Sequence, residues 1–482
     1  MKRMLAINNN EMDARDTMRR MLAVNKVVAA ICVLFAGVIL TGCNPAKSDL
    51  AAFNCCYEAA DYNNAGIFAQ KKINNGKTPS GCDLLWTLQL ASTQRAQLNH
   101  RQSIECLDKA EDMLKYYNLQ TIGAVDTVSS TIVNDNAIPY KGAEYDGVML
   151  NTYKALDFMA EKNTDLARVE LNRALDRQTR AKEHFNEEIR KLEADLEKQK
   201  EKNNNDVNAM LDDPNVAGRV ASYYPNLDQF QPYPDFVNPF TTYLAGLFFT
   251  VSGDYSKAGY LLKESYGMVP DNDYIAKDLL LADDAASGKA KPQNLVWVIF
   301  ENGLGPIKEE VRIDLPLFLV TNEVYYAGIA LPRLQSRRSA YPFLEIDTAG
   351  GKFQTKQVAD MERVIQTEFK KDFRGILARA IASAVVKAAA QAAMRRQDNG
   401  AIMAALVAAY SLATTAADVR IWSALPKDFQ IARCPIPDDR KLTISPPGGA
   451  PFEIYVPTCT NAIVYVKIIA AGSNPVYEVI TF

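Results

Sequence analysis

Residues 239–270 read PFTTYLAGLFFTVSGDYSKAGYLLKESYGMVP. Two apolar-periodic runs flank Gly253-Asp254-Tyr255, which carries the residues of a tight turn. Ala245, Gly246 and Ala258 are small where two antiparallel helices would touch, so the backbones can approach closely. Phe249 and Leu262 are sized to fill the space beside them. Pro239 suits the first turn of a helix, and Pro270 opens the connection to a further helix near 274–284. A helix pair of this kind cannot bury its apolar face alone, so it implies stacked neighbours.

The set Pro239, Ala245, Gly246, Phe249, Ala258, Leu262 and Pro270 resembles the signature of tetratricopeptide repeats. Two weaker units lie upstream. In the first, Leu84, Leu88, Ala91 and Ala96 recur on one helix and Ile104, Leu107, Ala110 and Met113 on the next, with Asn99-His100 between them. The second covers 149–180, where Ala167, Leu171 and Ala174 mark a closely packed helix. An irregular insertion over 118–148 separates the two. Residues 181–202 read as an exposed charged helix, and 203–237 as a linker whose aromatics pack against the helical region. The expectation for 50–290 is an α-solenoid.

From Gln293 the apolar period changes to that of strands. The fold class expected is α+β: a tetratricopeptide-like α-solenoid, then a mixed α/β region. That region divides into a β-rich segment at 291–350, an Ala-rich helical hairpin at 360–425 and a small β module at 429–482. Gly303-Leu304-Gly305-Pro306 is a turn without the spacing or the following Lys-Ser/Thr of a phosphate loop. Lys387, Arg379, Arg395 and Arg396 interrupt the first hairpin arm, while 401–417 carries no charge. The arms are expected to bury each other against the sheet; the alternative is an extended hairpin that inserts into a membrane or grips a partner.

At the amino end, Arg19, Arg20 and Lys26 precede an apolar run from Val27 to Leu40, then Thr41-Gly42-Cys43. This is the pattern of an export signal, too short for a stable membrane span. Its last four residues resemble the lipobox of bacterial lipoproteins. The resemblance implies a signal at 1–42, a diacylglycerol-bearing Cys43 and a lipidated tether at 43–49. Translation from Met18 instead of Met1 would leave a signal of ordinary length. Asn44, in a position where Asp commonly retains lipoproteins at the inner membrane, implies anchoring to the outer membrane, facing the periplasm.

Formal charge is -3 over 482 residues, and from Cys43 onward 48 Lys/Arg stand against 54 Asp/Glu. That balance excludes nucleic acid as the main partner. Six cysteines follow Cys43, and Cys434 with Cys459 is the bridge expected in an oxidising compartment. The chain holds two histidines, His100 and His184, both expected on polar helix surfaces. No metal-binding, nucleophile-elbow or paired Cys-x-x-Cys motif is present. Glu301, Glu309, Glu310 and Asp314 fall near strand ends and are expected to be solvated. No catalytic, cofactor or metal residues are assigned.

Two stretches carry a further resemblance. Val296-Trp297-Val298-Ile299-Phe300-Glu301-Asn302-Gly303-Leu304-Gly305-Pro306 and Ala417-Asp418-x-Arg420-x-Trp422-x-x-Leu425-Pro426 look like signatures of a bacterial family of repeat-containing lipoproteins. Members are often encoded beside small lipoproteins resembling activators of cell-wall synthases. The resemblance implies a role in envelope assembly. Stacked helix pairs present an extended groove on their inner helices that can hold a peptide or helix of another protein, so a scaffold or adaptor is expected, not an enzyme. Its partners would be the membrane, through Cys43, and a small lipoprotein or cell-wall synthesis component. The alternatives are a pore or secretion subunit using the Ala-rich hairpin, and an envelope hydrolase.

Overall fold

The computed structural model describes residues 45–74, 76, 78–123, 139–203, 207–224, 233, 237–316, 326–395 and 416–482. Cys43 and the expected signal lie outside them. So does most of the second Ala-rich arm.

The helical region comprises α1 (Pro45–Glu58), α2 (Tyr62–Lys72), α3 (Asp83–Ala96), α4 (His100–Gly123), α5 (Glu144–Ala160) and α6 (Thr164–Asn203), then two short helices, α7 (Val207–Leu211) and α8 (Pro214–Tyr223), and finally α9 (Pro239–Val251), α10 (Tyr255–Met268) and α11 (Asp273–Ala286). Consecutive helices pack against each other from α1 to α8 and again from α9 to α11. α9 begins where the Asn238 side chain accepts from Phe240 N (3.0 Å) and Pro239 supplies a preset φ. It ends at Ser252, and Gly253 takes the left-handed conformation (φ 83°) that the turn requires.

Ala245, Gly246, Phe249, Ala258 and Leu262 are all buried between α9 and α10. A Cβ on Gly246 would lie 2.8 Å from Leu262 Cγ and 3.3 Å from Leu262 N. Gly246→Ala is therefore expected to cost about 1–3 kcal/mol through overpacking, read from the urea midpoint. Pro239 is buried at the start of α9, and Pro270 sits exposed in the α10–α11 connection.

The α/β region holds three open sheets. A five-stranded sheet runs in the order β11 (Val476–Thr481), β10 (Asn461–Ile468), β1 (Leu295–Asn302), β7 (Asp428–Pro435), β6 (Lys356–Asp360). Only β1 with β10 is parallel. β2 (Ile307–Pro316) and β3 (Tyr326–Gln335) form a two-stranded ribbon. β5 (Gly351–Gln354), β4 (Glu345–Thr348), β8 (Lys441–Ser445) and β9 (Phe452–Tyr455) make a small antiparallel sheet. The tail at 429–482 is thus not a separate module. β1 lies between two strands of that tail and binds the earlier β segment into one layer with it.

The same topology corrects the cysteine expectation. Cys434 and Cys459 are free, as are the other four described cysteines. Cys434 lies on β7 and Cys459 just before β10, on opposite sides of β1. Two strand spacings are about 9.6 Å, beyond the ~7 Å Cα limit of a bridge.

Three other expectations change. Helix α1 starts at Pro45, so 45–49 of the expected tether belong to a helix. The linker at 203–237 contains α7 and α8, and its Tyr224 donates to Pro332 O (2.8 Å) on β3. Of the hairpin, α12 (Met361–Arg395) is a single long helix, and 416–425 is irregular. Between Phe369 and Val385, α12 packs with the β2–β3 ribbon, α7 and α8 in a second apolar cluster. Among the described residues no helix is long and apolar enough to cross a membrane.

The main core joins both regions. α3, α5 and α9, the first helices of their pairs, are buried along nearly their whole length. A solenoid ordinarily offers such helices as an open groove. Here the chain's own α/β region covers them. Phe240 stacks on Phe429 of β7 with centroids 3.7 Å apart, and Asn238 reaches Met361 Sδ (3.3 Å).

Candidate functional site

The second of the two resemblance stretches fills the space between α1, α3 and α5. Trp422 donates from Nε1 to Ser92 Oγ (2.9 Å) and meets Tyr153 edge-on at 5.9 Å. Gln89 donates to Ser423 Oγ (2.8 Å) and accepts from Ala424 N (3.2 Å), which satisfies a buried backbone group. Asp418 holds Arg420 by two hydrogen bonds of 2.8 Å. The first stretch meets the second here. Gly305 N donates to Leu425 O (2.8 Å), and a Cβ on Gly305 would lie 3.0 Å from Pro426 O. Asn302, at the end of β1, donates to Tyr341 O (2.8 Å) and accepts from Ala340 N (3.0 Å).

Beside this junction the core holds a dense charged cluster. Glu301 of β1 is 1% exposed, which overturns its expected place on a solvated edge. It accepts from Lys467 and Tyr465 of β10 and from Tyr153 OH (3.1 Å) of α5. Register makes this arrangement inevitable, because Glu301 and Lys467 are direct partners on parallel strands. Burial pushes the Glu301 carboxyl up, but Lys467 and Arg95 outweigh it and hold the group below the usual range. Of the other acids, Glu309 pairs with Arg333, and Glu310 accepts from Ala417 N (2.9 Å).

Arg95 of α3 lies between two aromatic faces, 5.2 Å from Tyr153 and 4.8 Å from Tyr465. It pairs with Asp157 of α5, and its Nη2 lies 3.7 Å from Glu478 of β11, near enough for charge but too long for a hydrogen bond. His100 completes the chain: Nδ1 is 2.9 Å from Asp157 and Nε2 is 2.9 Å from Glu478. It is not the solvated surface histidine expected from its polar neighbours. The side chain of His184 lies outside the described ones.

Burial alone would lower the His100 pKa, but its bonds to Asp157 and Glu478 lift it to about 9. A raised folded pKa adds stability that is full below the unfolded value near 6.5 and disappears as pH rises through 9. The melting temperature should therefore fall between pH 6.5 and 9 more steeply than in His100→Gln, which lacks this contribution.

Around the cluster, exposed Leu98 and Tyr477 border a cleft whose buried wall includes Arg95, Glu301 and Lys467. Its free volume of about 10 Å³ is room for one water molecule. Its carboxylate partners lift His100 above the usual imidazole range and its cationic neighbours hold Glu301 below the usual carboxylate range, so both favour their charged forms. Three cationic and three anionic side chains neutralise one another across α3, α4, α5, β1, β10 and β11. Chemically the arrangement is a clasp. Among the described residues no group of His, Cys, Asp or Glu is placed to hold a metal ion.

No family model matches this chain, and no curated protein matches it either. Arg95, Asp157, Lys467 and Glu478 were not singled out by sequence reasoning. A signal for two members of the cluster did exist, since Glu301 and Lys467 are lone charges inside apolar strands, where a charge needs a partner.

Proposed function

We propose that this protein is a lipid-anchored scaffold of the bacterial cell envelope, held to a membrane through Cys43 and facing the periplasm. The observation that carries the scaffold reading is the clasp. The charged side chains concentrated in the core bind one another across the helix–sheet junction, which suits a rigid platform better than turnover. Location rests on the Val27–Cys43 pattern, and the envelope-complex role on the two resemblance stretches.

The repeats would not grip a partner through an open groove, since α9 is buried under the α/β region. Binding falls to the outer helices α4, α6 and α10 and to the 40-residue length of α6. Crosslinking in intact membranes followed by pull-down tests this reading. The expected result is an envelope protein joined to residues on those outer helices. Hydrolysis of murein or another envelope glycan by the purified protein, with no crosslinked partner, would overturn it.

A further inference from the structure

The first helices of the chain end along one edge, and that edge holds the residue nearest the anchor. α1 begins at Pro45, and Asp49 in its second turn pairs with Lys72 at the end of α2 (2.7 Å). Asn74 N donates to Asp83 Oδ1 (2.8 Å), so α2 ends beside the start of α3. Tyr140 N donates to Gly81 O (2.8 Å), which brings the loop before α5 to the same place. A Cβ on Gly142 of that loop would lie 2.9 Å from Leu114 of α4 and 3.2 Å from Leu84 of α3. Beyond Leu114, α4 continues to Gly123 and leaves Leu119 71% exposed.

This edge differs in charge from the rest of the molecule. Lys47, Lys71, Lys72, Lys115 and Lys141 are exposed along it; Lys72 pairs with Asp49 and Lys115 with Glu111 and Asp112, so Lys47, Lys71 and Lys141 carry its excess of charge over Glu144. A chain of net charge -3 thus has a local excess of cations at its anchor end. Only Asn44 separates Cys43 from Pro45, so α1 can start no more than about 7 Å from the anchoring residue.

We propose that this edge is a lipid-docking face, with its lysines against anionic phospholipid headgroups and Leu119 entering the interface. The proposal rests on the reading of Cys43 as the lipid anchor. Acylation brings the edge to the bilayer, and the lysines then fix the orientation of the body above it. The outer helices are left facing away from the lipid.

The three native tryptophans, Trp86, Trp297 and Trp422, are buried, so a new surface tryptophan can be read against them. The acylated full chain carrying Leu119→Trp is placed in phosphatidylcholine vesicles with brominated acyl chains, with and without phosphatidylglycerol. Leu98→Trp serves as the reference at the other end of α3, roughly 20 Å away along its 14 residues. Quenching of the residue at 119 well above that at 98, increased by phosphatidylglycerol, is the expected result. Lys47→Gln, Lys71→Gln and Lys141→Gln should each weaken it by about fivefold in surface residence, with unchanged thermal unfolding. Acylated protein that floats with the vesicles but shows equal quenching at both positions overturns the docking face and leaves the anchor standing. Protein that mass spectrometry finds unacylated, and that does not float, overturns both.

Discussion

Glu301→Gln is expected to destabilise the protein by about 3–5 kcal/mol, measured by chemical denaturation at neutral pH. The substitution keeps the shape of the side chain and removes its charge. Lys467, 8% exposed, then loses its buried ion-pair partner, and Arg95, 6% exposed, loses a nearby negative charge while keeping Asp157. Tyr465 and Tyr153 keep only a weaker acceptor. The double replacement Glu301→Leu with Lys467→Met should recover much of the loss, because an apolar pair of similar volume avoids the desolvation of both charges. Recovery would mark the pair as structural. A double variant that stays folded yet no longer captures its crosslinked partner would instead assign the clasp a role in binding.

Trp422→Ala should cost about 3–5 kcal/mol in the same assay, the range for removing a large aromatic from a packed core. Trp422 is 1% exposed and comes from a segment 330 residues after the serine that accepts its indole N–H. Its removal opens the space between Ser92 of α3 and Tyr153 of α5. Signals reporting helix content and those reporting the environment of Trp297 in β1 should be lost in one transition. Separate transitions in the parent protein would show that the helical region folds without its covering sheet.

How much of this was legible depended on the range of the interaction. The α9–α10 pair could be read because Gly246, Ala258 and Leu262 lie within one turn-linked unit, and their spacing carries the packing. Most strand positions were also readable from local period. The strand order was not: Val296 pairs with Ala462 and Cys434, both more than a hundred residues away. The alternation of a strand records which face is buried and says nothing of the neighbouring strand. His100 looked solvated for the same reason. Its partners Asp157 and Glu478 belong to elements that only the fold brings together. Tyr224 was expected on the helical region but packs under the β2–β3 ribbon, because α8 carries it there. The open groove expected on the inner helices was the largest miss, since α3, α5 and α9 are buried. Repeat signatures specify how helices pair, and nothing in their spacing states whether the inner helices stay open.

The measurement that bears most directly on the function proposed is the mass of the amino-terminal peptide of the protein extracted from its native membrane. A peptide starting at Cys43, with a diacylglycerol on its sulfur, is the expected result. A chain retaining residues 1–42 with a bare Cys43 thiol would contradict the envelope scaffold and leave the helix–sheet body without an anchor.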